Sequence, residues 1–341
     1  MRAIIYTEHG GPDVLRTVAR DRPEPGPGEV RVRVAVSGVN PTDVQARAGI
    51  GHPMQFPEIT PHHDGAGVID AVGADVDPAR AGERVWLFMA AAGRAGGTGA
   101  EYCVVPADRA VPLPAGVAFE AGAALGVPAL TAHRTLTVAE DGPRRLTPGA
   151  LDGRVVLAAG GAGAVGHAVI QLARWAGATV IATVSGPQKA RLATAAGAHH
   201  TVLYREGDPA AAIRAAAPDG VDIVAEVALG ANLALDLAVL RTGGTIATYA
   251  NEGGHPVDLD VRRHLVLNTR LQFLVLYTAG PQVRAAAVED VAAAVAGGAL
   301  PVGEAHGLPL LRFPFARAAD AHRAVGRGAA GKVLLDIDAP V

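Results

Sequence analysis

The stretch Val155 to Gly166, VVLAAGGAGAVG, constrains this chain more than any other. An apolar run, Val155-Val156-Leu157, reaches a glycine cluster at Gly160, Gly161, Gly163 and Gly166. An alanine-rich helical pattern follows from Ala168. Strand, tight turn and helix in that order give Gly161-x-Gly163-x-x-Gly166 a chemical meaning. Gly161 is expected to take a turn conformation that a Cβ forbids. Gly163 lets the backbone approach a pyrophosphate, and Gly166 lets the helix pack closely on the strand. Free N–H groups at the helix start, at Ala164 and Val165, and the positive end of the helix dipole then attract phosphate. In a chain with 43 glycines the spacing alone says little. The strand–helix alternation that follows is what gives it weight.

The second strand of that alternation selects between dinucleotides. It reads Thr179-Val-Ile-Ala-Thr-Val184 and runs into Ser185. A site for the unphosphorylated coenzyme places Asp or Glu there, to accept from the ribose 2′-hydroxyl. Between Arg154 and Tyr204 this chain has neither. It offers Ser185, Lys189 and Arg191, donors and cations suited to a 2′-phosphate. Lys189 and Lys332 are the only lysines, against 28 arginines, so Lys189 stands out from the background charge. NADPH is the coenzyme expected.

At 341 residues, half of them hydrophobic, the chain is long enough for two cores. Its net charge of −3 and the lack of basic runs interleaved with aromatics argue against nucleic acid or anionic membrane as partner. The single cysteine, Cys103, excludes an internal disulfide and a multi-cysteine zinc cluster. The N-terminus reads as strand and turn rather than a signal segment. No run of about 18 apolar residues is present to span a membrane. A cytoplasmic location is expected.

Residues 1 to about 125 read as short strands between Pro and Gly turns. Met1–Tyr6, Glu29–Val36, Val68–Val72, Arg84–Met89 and Glu101–Val105 are the strand candidates. A helix is expected over Ala121–Leu136. Strands at 155–159, 179–184, 201–204, 221–227, 243–249 and about 270–277 then alternate with helices. That pattern predicts a doubly wound parallel α/β sheet with ligands at the strands' carboxyl ends. Helices are expected over Gln282–Ala296 and Phe313–Val325. The closing strand Gly331–Ile337 has no helix after it, so it returns to the first domain. The expected division is 1–126 with 279–341, and 127–278.

The chain resembles the zinc-free quinone oxidoreductase branch of the medium-chain dehydrogenases/reductases, which includes zeta-crystallin. The likeness runs nearly end to end. It is carried by Pro25-Gly-Pro-Gly-Glu-Val30, Gly38-Val-Asn40-Pro-Thr-Asp43, Asp64-Gly-Ala-Gly-Val-Ile-Asp-Ala-Val-Gly73, Ala100-Glu-Tyr-Cys-Val-Val-Pro106, Thr131-Ala-His-Arg134, the glycine turn, Asn232-Leu with Asp236-Leu, and Gly331-Lys332. The resemblance implies a GroES-like β-rich catalytic domain joined to a Rossmann-type domain, and a homodimer. Leu271–Tyr277 is the expected edge that pairs with a second copy.

In zinc-dependent members of the superfamily a cysteine sits where Asn40 is, and a His–Glu pair where His63–Asp64 is. His63 and Asp64 alone fall short of the three or four ligands zinc needs, so no metal is expected. Without a Lewis acid, the reaction implied is hydride delivery from NADPH to a conjugated acceptor, a quinone or an enone. Reduction of activated C=C or C=N bonds and non-catalytic NADPH binding are the alternatives. The resemblance further implies catalytic roles for Asn40, beside the nicotinamide, and Thr131, near the substrate. It places Tyr204 against the adenine, Asn251 towards the nicotinamide, and Arg327 near the 2′-phosphate, with Lys332 as a further phosphate ligand. One departure concerns the acceptor. The family's Tyr-x-Arg-Ser-Gly-x-Tyr pattern reads Gln45-Ala-Arg47-Ala-Gly49-Ile-Gly51 here. The stacking rings are gone, which leaves Gln45, His52 and Met54 to shape the pocket.

Overall fold

Strands buried on both faces read as continuous apolar runs, and a parallel sheet covered by helices buries both faces. Val155–Ala159 and Val221–Glu226 are such strands; all six residues of the second are buried. The computed structural model describes every residue except 52, 253, 255 and 338–341. Its chain forms two compact units, Met1–Val127 with Leu310–Val341, and Pro128–Pro309.

In the second unit six parallel strands lie in the order His200–Leu203, Thr179–Val184, Val155–Ala159, Val221–Glu226, Leu240–Thr248, Arg270–Phe273. Chain order reverses between Val155–Ala159 and Val221–Glu226, which creates a switch point beside the glycine turn. The fifth strand starts earlier than its expected position at 243, and the sixth stops at Phe273. Beyond Phe273 the chain turns over Leu276–Thr278, so the expected strand to Tyr277 is shorter. Helices Ala164–Trp175, Pro187–Ala195, Pro209–Ala216, Leu229–Val239 and Val261–Leu267 make the connections.

The segment 279–309 belongs to this unit, not to the first domain as expected. Its helix Pro281–Ala296 carries a buried carboxylate, Asp290. That group accepts from the His133 ring (2.8 Å), the Leu146 N–H (2.7 Å) and the Arg145 guanidinium (2.8 Å). Gln171 donates to the Pro301 carbonyl and His167 to the His306 carbonyl, both at 2.9 Å. Buried polar groups so paired are costly to separate, and they tie the segment down.

The first unit is a mainly antiparallel sheet. Its strands run Leu310–Pro314, Lys332–Asp336, Glu29–Val39, Asp64–Val72, Arg84–Leu87 and Ala110–Pro112, with Tyr102–Pro106 also paired to Glu29–Val39. The closing strand pairs antiparallel with Glu29–Val39, as expected of a return to the first domain. The helix expected from Phe313 begins only at Ala318. Leu310–Pro314 is instead a strand, held parallel to Lys332–Asp336. The helix Phe119–Leu136 breaks at Gly126; Pro128 lacks the N–H that a continuous helix needs.

Candidate active site

The glycine turn divides its work differently from the expected pattern. Gly160, not Gly161, takes the left-handed conformation, at φ +67. Gly161 is required by packing: a Cβ there would lie 2.7 Å from Ala182 Cβ. Gly166 meets its expectation, since its Cβ would approach the Gly160 carbonyl oxygen to 2.4 Å. Gly163 is different again. Its backbone is ordinary extended chain (φ −83, ψ 163), and a Cβ would meet only the Gly160 carbonyl oxygen, at 3.4 Å. The protein does not crowd a side chain at that position. Gly163 caps the helix Ala164–Trp175. The first-turn N–H groups, those of Ala164 and Val165 included, have no intrahelical acceptor.

Ser185 and Tyr204 directly follow the strands Thr179–Val184 and His200–Leu203. Together with the glycine turn they lie at the carboxyl ends of three adjacent strands. Ser185 and Lys189 are half-buried, and Tyr204 is 41% exposed. Lys189 lies in the first turn of the helix Pro187–Ala195, where helix N–H groups also favour an anion. Asn251 lies beyond Leu240–Thr248, bridged to Ala228, and accepts from the Gly230 N–H at 2.9 Å. Thr131 is 6% exposed in the helix after the break. These residues share the second unit with a pocket of ≈ 350 Å³, lined by Leu229, Thr248, Tyr249, Asn251, Phe273 and Thr278 among others.

The first unit holds Asn40, Arg327 and Lys332. Arg327 is exposed, at the end of the helix Ala318–Gly326. Lys332 does not fit the role of a phosphate ligand. It is 2% exposed, and its Nζ donates to Asn40 Oδ1 at 2.7 Å and Asp64 Oδ2 at 3.3 Å. Strand register brings this about. Val333 pairs with Val39 and Gly38 with Asp64, so Lys332 falls beside Asn40 and both fall beside Asp64. Asn40 Nδ2 donates to Asp64 Oδ2 at 2.7 Å, and its N–H to Asp43 Oδ2 at 2.7 Å. Burial pushes the Asp43 carboxyl up to about 7. Burial also pushes Asp64 up, and the Lys332 ammonium, the Asn40 amide and the Val127 N–H pull it back. Of the expected pocket residues, Gln45 is exposed and Met54 half-buried; His52 lies outside the described residues.

Two buried networks carried no signal strong enough to single them out in the sequence. In the first, Thr98 Oγ1 donates to the Asp64 carbonyl at 2.5 Å. Ser37 must then donate to Thr98 (2.7 Å), His62 Nδ1 to Ser37 (2.9 Å), and His322 Nε2 to His62 Nε2 (2.9 Å). Both imidazoles are thus neutral, and burial pushes His322 down to about 3. In the second, Glu226 ends the strand beside the switch point, fully buried against Asp236. Burial and the Glu226 carboxylate push Asp236 far up. A proton shared between the otherwise unpartnered Glu226 Oε2 and Asp236 Oδ2 satisfies both.

The neutral imidazoles set an acid limit. His167 is pushed down to about 4 by burial, alongside His322 at about 3. Between those values and the ordinary 6.5, only the unfolded chain binds the proton. Their stabilisation is therefore complete above about pH 6.5 and lost as pH falls. Asp43, protonated when folded up to about 7, works in the opposite sense over about pH 4 to 7. Asp64, Glu226 and Asp236 are raised too and act with Asp43, but the six lowered imidazoles, His62, His63, His133, His167, His199 and His322, outnumber these four carboxyls. The urea midpoint is expected to fall from pH 6.5 to pH 4, by roughly 1.4 kcal/mol per pH unit for each net proton. A flat profile would contradict these assignments.

Residues 26–115 match the model of the alcohol dehydrogenase GroES-like domain, and residues 164–293 that of the zinc-binding dehydrogenases. The quinone oxidoreductase of Lama guanicoe is 30% identical over 98% of this chain and 97% of its own. A solved NAD-dependent alcohol dehydrogenase superposes with a TM-score of 0.85 at 28% identity, covering 99% of this chain and 100% of that one. Escherichia coli quinone oxidoreductase complexed with NADPH gives 0.80 at 26% identity, covering 98% and 100%. Among the described residues no three His, Cys, Asp or Glu side chains form a metal-binding group, and no helix is long and apolar enough to cross a membrane.

Proposed function

This chain belongs to the medium-chain dehydrogenase/reductase family, in its quinone oxidoreductase branch, and on that footing we propose that it is a zinc-independent, NADPH-dependent reductase of quinones or related conjugated acceptors. The glycine turn supports the reading: Gly163 puts no side chain in front of the helix Ala164–Trp175, whose first-turn N–H groups are left for an anion. Gly161, Gly163, Ala164, Val165 and Gly166 would hold the pyrophosphate, and Tyr204 the adenine. Ser185 and Lys189 would hold the 2′-phosphate, and Asn251 would face the nicotinamide. Bound there, the reduced coenzyme supplies a hydride. Asn40 and Thr131 are the residues proposed to meet the reacting groups through an amide and a hydroxyl.

A catalytic zinc does not fit position 40. Asn40 offers an amide where a thiolate would be needed. Both of its polar atoms are engaged, and an ammonium already lies 3.3 Å from the neighbouring carboxylate. The loss of both tyrosines near Arg47 favours a second reading, in which the acceptor is an activated C=C or C=N bond rather than a flat quinone. A cytoplasmic location belongs to the same proposal.

The phosphate assignment is tested by Lys189→Ala. A charge-assisted hydrogen bond is worth about 1.5–3 kcal/mol, so kcat/KM for NADPH should fall roughly 10- to 100-fold. With NADH the value should stay nearly constant, whereas equal losses would undo the assignment. A homodimer is proposed through the sheet edge Arg270–Phe273, which is last in the strand order. Phe273 is 65% exposed there, with Val275, Leu265 and Val266 also exposed. Such an apolar edge invites pairing with a second copy. Phe273→Glu is expected to shift sedimentation from dimer to monomer, and an unchanged dimer would place the interface elsewhere.

A further inference from the structure

One of only two lysines in the chain is buried in the first unit, where an ammonium without partners would be very costly. The surroundings are shaped to accept it. Gly38 leaves room for its stem: a Cβ there would sit 3.0 Å from Lys332 Cε and 3.1 Å from Asp64 Cβ. At Gly126 a Cβ would lie 2.0 Å from Asp64 Oδ1. The helix break at that residue leaves the Val127 N–H to donate to the same oxygen, at 2.8 Å. Asp64 thus accepts from an amide, a backbone N–H and an ammonium, and nothing asks it to donate.

This arrangement fixes which way the Asn40 amide faces. Oδ1 accepts from the ammonium and Nδ2 donates to the carboxylate. The flipped amide would set donor against donor and acceptor against acceptor. One Nδ2 proton and one Oδ1 lone pair remain uncommitted.

We propose that Lys332 and Asp64 are positioning residues, an internal ion pair that locks Asn40 in the orientation that the reaction uses. The proposal rests on the assignment of Asn40 to the reacting site. Neither residue touches substrate in this scheme; each acts through the Asn40 amide, which is aligned before the acceptor arrives.

The test compares Asn40→Ala with the double variant Asp64→Asn/Lys332→Met, which removes both buried charges at little change of volume. The double variant is expected to melt close to the parent and to bind NADPH, followed by its fluorescence, with unchanged Kd. Its kcat should nonetheless fall about 10-fold or more, as in Asn40→Ala. A double variant with parental kcat, beside an impaired Asn40→Ala, would overturn the positioning role and leave the reading of Asn40 standing. Parental kcat in Asn40→Ala would remove that reading and this inference together. Should the double variant not fold, the parent protein still answers. Its Asn40 side-chain N–H pair, assigned by loss in Asn40→Ala, is expected among the slowest-exchanging side-chain amides. Exchange as fast as in an exposed asparagine would overturn the lock.

Discussion

Gly163→Val is expected to give a folded protein that has lost its affinity for the coenzyme by at least about 100-fold, or roughly 2.7 kcal/mol. The two effects separate because the glycine is dispensable to the fold. Valine tolerates the backbone conformation at φ −83, and beyond its chain neighbours its Cβ would meet only the Gly160 carbonyl oxygen, at 3.4 Å. The poorer helix cap costs about 1 kcal/mol at most. On the proposed reading, the added methyl groups would stand where phosphate has to reach the helix N–H groups. Thermal melting and a fluorescence titration with NADPH report the two quantities independently. Gly166→Val is the contrasting control, because a Cβ at 2.4 Å from the Gly160 carbonyl oxygen must displace backbone. An unchanged Kd in a folded Gly163→Val protein would mean that phosphate does not approach this turn.

Lys332→Met by itself should destabilise the first unit by about 3–5 kcal/mol, the usual consequence of leaving one member of a buried ion pair without the other. Asp64 is fully buried, so no solvent replaces the lost ammonium. Asp43 adds to the cost, because its carboxyl already feels the Asp64 charge and is steadied by Lys332. Denaturation followed with a probe in that unit is the appropriate measurement, since two units need not unfold together. A loss of less than about 1 kcal/mol would show that Lys332 is not the cation that balances Asp64.

The parts of the fold that announced themselves are those where one physical rule acts alone. Apolar runs alternating with helices lead to the six-stranded parallel sheet, because a strand covered on both faces has no other composition available. The closing strand Lys332–Asp336 does pair with Glu29–Val39, as its expected return to the first domain requires. Places where two rules compete were not legible. Phe313 lies in a helix-compatible stretch, yet the backbone of Leu310–Pro314 pairs with Lys332–Asp336, and tertiary pairing overrides local pattern. The segment 279–309 is expected with the first domain, and only the hydrogen bonds of Asp290, Gln171 and His167 show that it belongs to the second unit.

The same contrast holds at the site. The glycine spacing pointed to the turn, but which glycine takes positive φ and which is crowded depends on Ala182 and the Gly160 carbonyl, residues whose approach no spacing encodes. Lys332 is the sharper case. The resemblance to the family implies a phosphate ligand there. Its actual partners, Asn40 and Asp64, lie 292 and 268 positions away, and only strand register brings them together.

The most direct test of the central claim is steady-state turnover of the purified, chelator-treated protein, with NADPH or NADH as donor and a panel of quinones and enones as acceptors. A metal-free reductase built around a 2′-phosphate site should retain its full rate after chelation and prefer NADPH at least 10-fold in kcat/KM with at least one conjugated acceptor. Activity abolished by the chelator and restored by zinc, or a preference for NADH, would contradict it.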